Sequence, residues 1–134
     1  MKYLLDTNVL SDLVRNPSGS IAQRIARVGE SQVCTSIIVS AELKFGALKK
    51  SSAKLSAQVN AILSLLPVLP FIAPADIRYG ELRERLERLG IPIGGNDLLI
   101  AAQTLALDLT LVTDNVREFS RIQELKLENW LREP

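Results

Sequence analysis

The chain has 134 residues, enough for one domain with a real core, and although 47% of them are hydrophobic no apolar run is long enough to span a bilayer. It carries 16 basic and 15 acidic groups and no histidine, which removes Ser-His-Asp catalysis, Cys-His catalysis and imidazole metal ligation together. Cys34 is the single cysteine, so internal disulfides and cysteine zinc sites are excluded, and any chemistry must run on carboxylates, hydroxyls, amides, Lys, Arg or a bound metal.

Lys2 is followed by only three apolar residues before Asp6, with no export-type apolar segment and no small-residue cleavage site, so a cytoplasmic protein is expected. Residues 2 to 6 read as a strand, and Val9, Leu10 and Leu13 as the inner face of a helix that ends near Asn16-Pro17. Ser20 is placed to cap a second helix carrying Ile21, Ile25 and Val28. QVCTS, 32 to 36, reads as a second strand, followed by a helix from about Ile38 to Lys49 that contains Glu42. Leu55, Val59, Ile62, Leu63 and Leu66 fall at helical spacing over 52 to 66, and Pro67 stops that helix.

VLPFI, 68 to 72, reads as a third strand. Pro74 then opens a charged helix to about Leu89, with Tyr79, Leu82, Leu86 and Leu89 inward and Glu81/Arg85 and Glu84/Arg88 paired outward; Gly90 ends it. IPIGGN is a loop, and Asp97 stands at the start of an apolar helix, DLLIAAQTLAL, expected to be buried on several sides. TLVT, 110 to 113, is a fourth strand, a turn or helix lies around Asn115 to Phe119, and KLEN near Trp130 holds a last short strand.

Strands separated by helices of this length predict right-handed crossovers and an α/β fold, a small, mainly parallel sheet with helices on both faces. No linker or repeat divides the chain, so residues 1–134 read as a single domain. Ligands of such sheets bind beyond the carboxyl ends of the strands. Asp6 ends the first strand, Asp114 follows the fourth, Glu42 lies one turn into the helix leaving the second, and Asp97 sits at a helix start that can face the same edge. Taken singly, each has a plainer explanation: Asp6 and Asp97 as helix caps, Glu42 as a solvated helix residue, Asp114 and Glu118 as loop charges. Their shared edge is what makes them a candidate site.

Carboxylates about 4 Å apart repel by on the order of 4 kcal/mol at an effective dielectric near 20, so several cannot stay ionised together without a cation. With oxygen ligands alone, Mg²⁺ or Mn²⁺ suits the site better than Zn²⁺. Setting aside Asp6, Glu42, Asp97, Asp114 and Glu118 leaves 16 basic against 10 acidic groups, a basic surround around an acidic pocket that suits a polyanion. Lys44, Lys49, Lys50, Arg117 and Arg121 are the candidates to touch its backbone.

LLDTN, SAEL around Glu42, PIGGNDLLIAA around Asp97, and LVTDNVREF followed by ENW together resemble the PIN-domain ribonucleases, in particular the VapC toxins of VapBC toxin–antitoxin systems. The match runs over essentially the whole chain, in the family's order. The resemblance implies a three-layer α/β/α sandwich and a toxic endoribonuclease dependent on Mg²⁺ (or Mn²⁺). It also implies RNA substrates, often tRNA, inhibition by a cognate VapB antitoxin, and a homodimer that can enter a higher toxin–antitoxin assembly. Asp6, Glu42 and Asp97 match the three core acids, Asp6 and Asp97 as direct metal ligands and Glu42 binding through water or orienting the attacking water. Where many PIN domains have T-x-D, this chain reads Thr113-Asp114-Asn115, and Glu118 matches an acid that some VapC members carry slightly later. Asp114, Asn115 and Glu118 thus compete for a fourth place, while Thr7 and Asn8 are expected to shape the turn by local hydrogen bonds.

Three competing classes fit the residues less well. A phosphatase with a nucleophilic Asp6 needs D-x-D, and Asn8 stands where the general acid would be. Rossmann and P-loop nucleotide sites lack both G-x-G-x-x-G and G-K-[ST]. A catalytically weak PIN fold acting as an RNA- or partner-binding module is kept open by Asn115.

Overall fold

The computed structural model describes residues 1–132. Its elements run β1 (Tyr3–Leu5), α1 (Thr7–Arg15), α2 (Ser20–Val28), a 3-10 turn (Glu30–Gln32), β2 (Val33–Ser36), α3 (Ile37–Lys49), α4 (Ala53–Leu63) and β3 (Val68–Leu69). They continue with α5 (Ala75–Arg88), α6 (Gly95–Ala106), β4 (Thr110–Val112), α7 (Val116–Phe119) and β5 (Lys126–Glu128). The five strands form one sheet in the order β3-β2-β1-β4-β5, and every pairing is parallel.

Right-handed crossovers decide the layers. From β1 the chain steps outward through β2 to β3, then returns past both to β4 and continues to β5, so α1 to α4 cover one face and α5 to α7 the other. The packing agrees, with α1 against α2, α3 and α4, and α5 against α6. β1 and β2 are buried along their whole length, as a parallel sheet covered on both faces requires. The reversal of direction lies between β1 and β4, where the carboxyl ends of adjacent strands part and leave a crevice.

Several expected boundaries shift, each for a local reason. Gly19, not Ser20, holds the N-cap of α2, and no side-chain cap bond forms there. The third strand is Val68–Leu69 rather than 68 to 72: Pro70 cannot donate to a ladder, and the carbonyls of Leu69 and Pro70 are both taken by the amide of the buried Gln103, at 3.0 Å each. Leu89 is exposed rather than inward. Glu81 stands 3.7 Å from Arg78 instead of pairing with Arg85, which makes a two-pronged bond to Glu124 at 3.0 and 2.7 Å, a geometry the helix spacing does not offer it. The Glu84/Arg88 pair forms as expected, at 2.9 Å. Trp130, beyond β5, is buried and meets the Tyr3 ring edge-on, fastening the C-terminal segment to the first strand.

Candidate active site

β1 ends at Leu5 and hands Asp6 to the crevice, buried and fixed on three sides. Its backbone N–H donates to the Val112 carbonyl at 2.9 Å, continuing the β1–β4 ladder by one rung. Its Oδ1 accepts the N–H of Thr7 at 2.8 Å, and its Oδ2 accepts the Thr113 hydroxyl at 2.7 Å. Asp6 is therefore the N-cap of α1 and a member of the acid cluster together, so the two explanations offered by the sequence do not compete. Burial raises its pKa, partly offset by those two hydrogen bonds, and the charge of Glu42 raises it further.

Glu42, on α3, comes to the same place through Thr7, whose hydroxyl donates to its Oε1 at 2.6 Å; Asn96 donates to Oε2 at 3.4 Å. Thr7 and Asn8 were expected to bond locally. The Thr7 N–H does so, supporting Asp6, but its hydroxyl reaches across to α3, and the Asn8 side-chain oxygen accepts the N–H of Asp114 at 3.1 Å, tying α1 to the end of β4. The first turn of α1 lies over the crevice, so both side chains face neighbouring elements rather than their own turn.

Asp97 is the third residue of α6, which begins at Gly95 behind an N-cap at Gly94. It is not itself the cap. Its pKa is raised to about 6, first by burial and then by the charges of Asp6, Glu118 and Glu42, while a hydrogen bond from the Asn115 amide at 3.3 Å lowers it. That repulsion is the electrostatic signature of four acids gathered from four separate segments of chain.

The opposite wall distributes the fourth place among its competitors. Asn115 lines the cleft and its amide donates to both Asp97 and, at 3.1 Å, Glu118. Glu118 lies behind it, its Oε1 accepting the N–H of Gly94 at 2.8 Å. That bond, followed by the one from Asn115, lowers the Glu118 pKa. Asp114 borders the cleft, but its Oδ1 accepts from Asn129 at 3.0 Å and from Arg132 at 3.1 Å, and those donors lower its pKa. Thr113 joins the two sides, donating to Asp6 while its oxygen accepts the N–H of Asn115 at 3.0 Å.

The result is an open cleft of about 600 Å³ lined by Asp6, Thr7, Asn8, Ser11, Arg15, Glu42, Asp97, Asp114 and Asn115. Ser11 and Arg15 escaped the sequence reading, although their spacing of four from Thr7 already put them on its helix face. Asn96, Gly94, Asn129 and Arg132 also escaped it, because their contacts span distant segments. None of Lys44, Lys49, Lys50, Arg117 and Arg121 lines the cleft; Arg121 instead donates to the Pro92 carbonyl at 2.7 Å, and Lys50 lies in an adjoining, more apolar groove between α1, α3 and α4.

A hard divalent cation fits this donor set. The oxygens are carboxylate, hydroxyl and amide, and Arg15 is the one cation among the residues that line the cleft with Asp6, Glu42, Asp97 and Asp114. Among the described residues no three acidic side chains stand close enough to form a ready-made cage. Mg²⁺ does not need one, since it binds through one or two carboxylates and keeps several waters and substrate oxygens.

The PIN domain family model matches residues 3–125. Over 132 residues the chain is 39% identical to Ribonuclease VapC2 of Rickettsia felis, covering 97% of this chain and 98% of the relative. It is 35% identical to the tRNA(fMet)-specific endonuclease VapC of Salmonella typhimurium, covering 97% and 98%. Among solved structures, VapBC2 of Rickettsia felis bound to a DNA fragment from its promoter superposes with a TM-score of 0.90 at 38% identity, over 97% of this chain and 99% of that one. DNA-bound VapBC of Salmonella typhimurium gives 0.88 at 34% identity, over 97% and 98%.

Proposed function

Because the chain belongs to the PIN-domain family, we propose that it is a single-domain VapC-type toxin of a type II toxin–antitoxin system, an endoribonuclease that hydrolyses RNA phosphodiester bonds. Nucleases of this family depend on a divalent metal ion; Mg²⁺ is the proposed ion, with Mn²⁺ able to replace it. The substrate is tRNA, as in the printed name of the Salmonella typhimurium relative. The partner is a VapB-type antitoxin, as in the VapBC complexes that the fold matches, and the apolar groove opening onto the acid cleft is suited to one of its segments. The protein acts in the cytoplasm as a homodimer. No described helix is long and apolar enough to cross a membrane.

The observation that carries this reading is the meeting of Asp6, Glu42 and Asp97 around one open cleft at the switch point of the sheet. Asp6 and Asp97 are the proposed direct ligands. When bound, a divalent ion supplies positive charge that lowers the pKa of a water and stabilises charge developing on phosphate oxygens. Thr7 N–H and the Thr113 hydroxyl hold Asp6 in one orientation, which spares it reorganisation as charge builds in the cleft. With histidine absent, Glu42 is the group proposed to orient the attacking water and take its proton, its own position set by Thr7 and Asn96. Asn115 holds Asp97 from the other side, and Glu118 with Gly94 holds Asn115.

Incubating the protein with a total tRNA pool and Mg²⁺ or Mn²⁺, and mapping new 5′ ends, tests the reading. Cleavage that stops with excess chelator and returns on adding metal is expected. Cleavage indifferent to chelator overturns the metal mechanism, and RNA that is retained but never cut makes the protein a binding module.

The opposite wall has its own expected outcome. Glu118→Gln should lower kcat roughly ten- to a hundredfold by loosening the Asn115–Asp97 contact, as losses of outer partners at metal sites commonly do. Asp114→Asn, whose carboxylate is already held by Asn129 and Arg132, should stay within about threefold of the parent. Single-turnover cleavage rates at saturating metal distinguish the two, and the reverse order would place Asp114 in the machinery instead.

A further inference from the structure

We propose that Arg15 holds a phosphate of the substrate RNA that flanks the one being cut, making it the positioning residue that sets the path of the strand along α1. This rests on the nuclease reading of the cleft. Among the residues that line it, Arg15 is the one cation, facing a wall that includes Asp6, Glu42, Asp97 and Asp114. A divalent ion near Asp6 and Asp97 neutralises charge only locally, so phosphates on either side of the scissile one meet an acidic wall unless something else compensates them.

Arg15 is placed to do so. Thr7, Ser11 and Arg15 follow one another at spacings of four on α1 and all line the cleft. Eight residues at 1.5 Å each put Arg15 about 12 Å further along the helix axis than Thr7, away from Asp6 and outside the reacting centre. Its side chain is 66% exposed, and the ion pair it makes, with Asp12, is 3.9 Å long, too long for a hydrogen bond. The guanidinium therefore keeps its planar fork of donors for a phosphate. A cation in the last turn also suits the negative end of the helix. That role is indifferent to which face the residue occupies, whereas Arg15 occupies the face that continues the cleft. The same residue borders the adjoining groove between α1, α3 and α4, so it stands where the acid cleft opens outward.

The test compares the parent protein with Arg15→Ala and Arg15→Lys on a single-stranded RNA oligonucleotide carrying the parent's cleavage site, at several salt concentrations. Arg15→Ala should raise KM about tenfold with kcat within about twofold, and should make the slope of log(kcat/KM) against log[salt] shallower by about 0.7, the loss of one phosphate contact to a single strand. Arg15→Lys should keep the parent slope and recover part of the KM change, since it retains the charge but not the fork. A purely structural role would lower the melting temperature of Arg15→Ala and leave the salt slope alone. An Arg15→Ala protein with the parent's KM and slope, or one whose defect lies in kcat, overturns the proposal while the nuclease reading stands. A parent protein that cuts no RNA overturns the nuclease reading, and this proposal with it.

Discussion

Asp6→Asn is expected to abolish RNA cleavage, lowering kcat by about three orders of magnitude, on the order of 4 kcal/mol of barrier, while the protein folds as before. Asparagine is as good an N-cap as aspartate, so α1 keeps its start. What is lost is the negative charge at the carboxyl end of β1 and one acceptor, since the amide oxygen can keep the Thr7 N–H but the amide nitrogen cannot accept the Thr113 hydroxyl. The size of the stability change separates this from a folding defect. Burial raises the folded-state pKa of Asp6 above its unfolded value. Such an acid contributes stability when protonated at low pH and loses it as pH rises through its folded pKa. In metal-free buffer at pH 7.5 the neutral variant should accordingly melt close to the parent, the relief of a buried charge offsetting the acceptor lost to Thr113. Full activity in Asp6→Asn would count against Asp6 as a ligand, and an inactive variant that melts far below the parent would make the loss a folding defect.

The second large effect concerns the metal and pH together. Asp97 titrates at about 6 in the folded chain against an ordinary value of 3.8, with burial as the first cause and the neighbouring acids next. The folded state thus binds more protons than the unfolded one between about pH 4 and pH 6, and its stability falls as pH rises across that window. Above it the charged cluster strains the metal-free protein. A divalent ion binds the deprotonated form, so adding Mg²⁺ or Mn²⁺ should raise the melting temperature clearly at pH 7.5 and hardly at pH 5. Asp97→Asn should lose its own share of the pH step, leaving that of Asp6, and most of the metal response. Melting curves with and without chelator at the two pH values measure this, and an equal metal shift at both would separate the ion from Asp97.

Much of the fold was legible because periodicity records burial. The run Tyr3-Leu4-Leu5, the spaced apolar residues of α1 and the all-round apolar α6 read correctly since each reports which faces leave water, whereas α4 ends at Leu63, short of the expected Leu66 and of Pro67. The errors fell where tertiary partners overrule local spacing. Val68–Leu69 stops short because Gln103 takes the next carbonyls, and Arg85 turns to Glu124 rather than Glu81. A sequence does not reveal which distant side chain will arrive at a carbonyl or a guanidinium.

The same division runs through the site. The sequence by itself determined the chemistry available, an acid set with no histidine and one cysteine, and the strand ends and helix turns that would carry Asp6, Glu42 and Asp97. It left Asp6 divided between cap and ligand and the fourth place divided among Asp114, Asn115 and Glu118. Only the tertiary structure decided how those groups are held: Asp6 as cap and cluster member together, Asn115 on the cleft with Glu118 behind it, Asp114 turned to Asn129 and Arg132. The physical reason is that residue type and period are properties of a segment. Hydrogen-bond partners and the charge surrounding a carboxylate depend instead on segments brought together by the crossovers, and Thr113 meets Asp6 across 107 positions of chain.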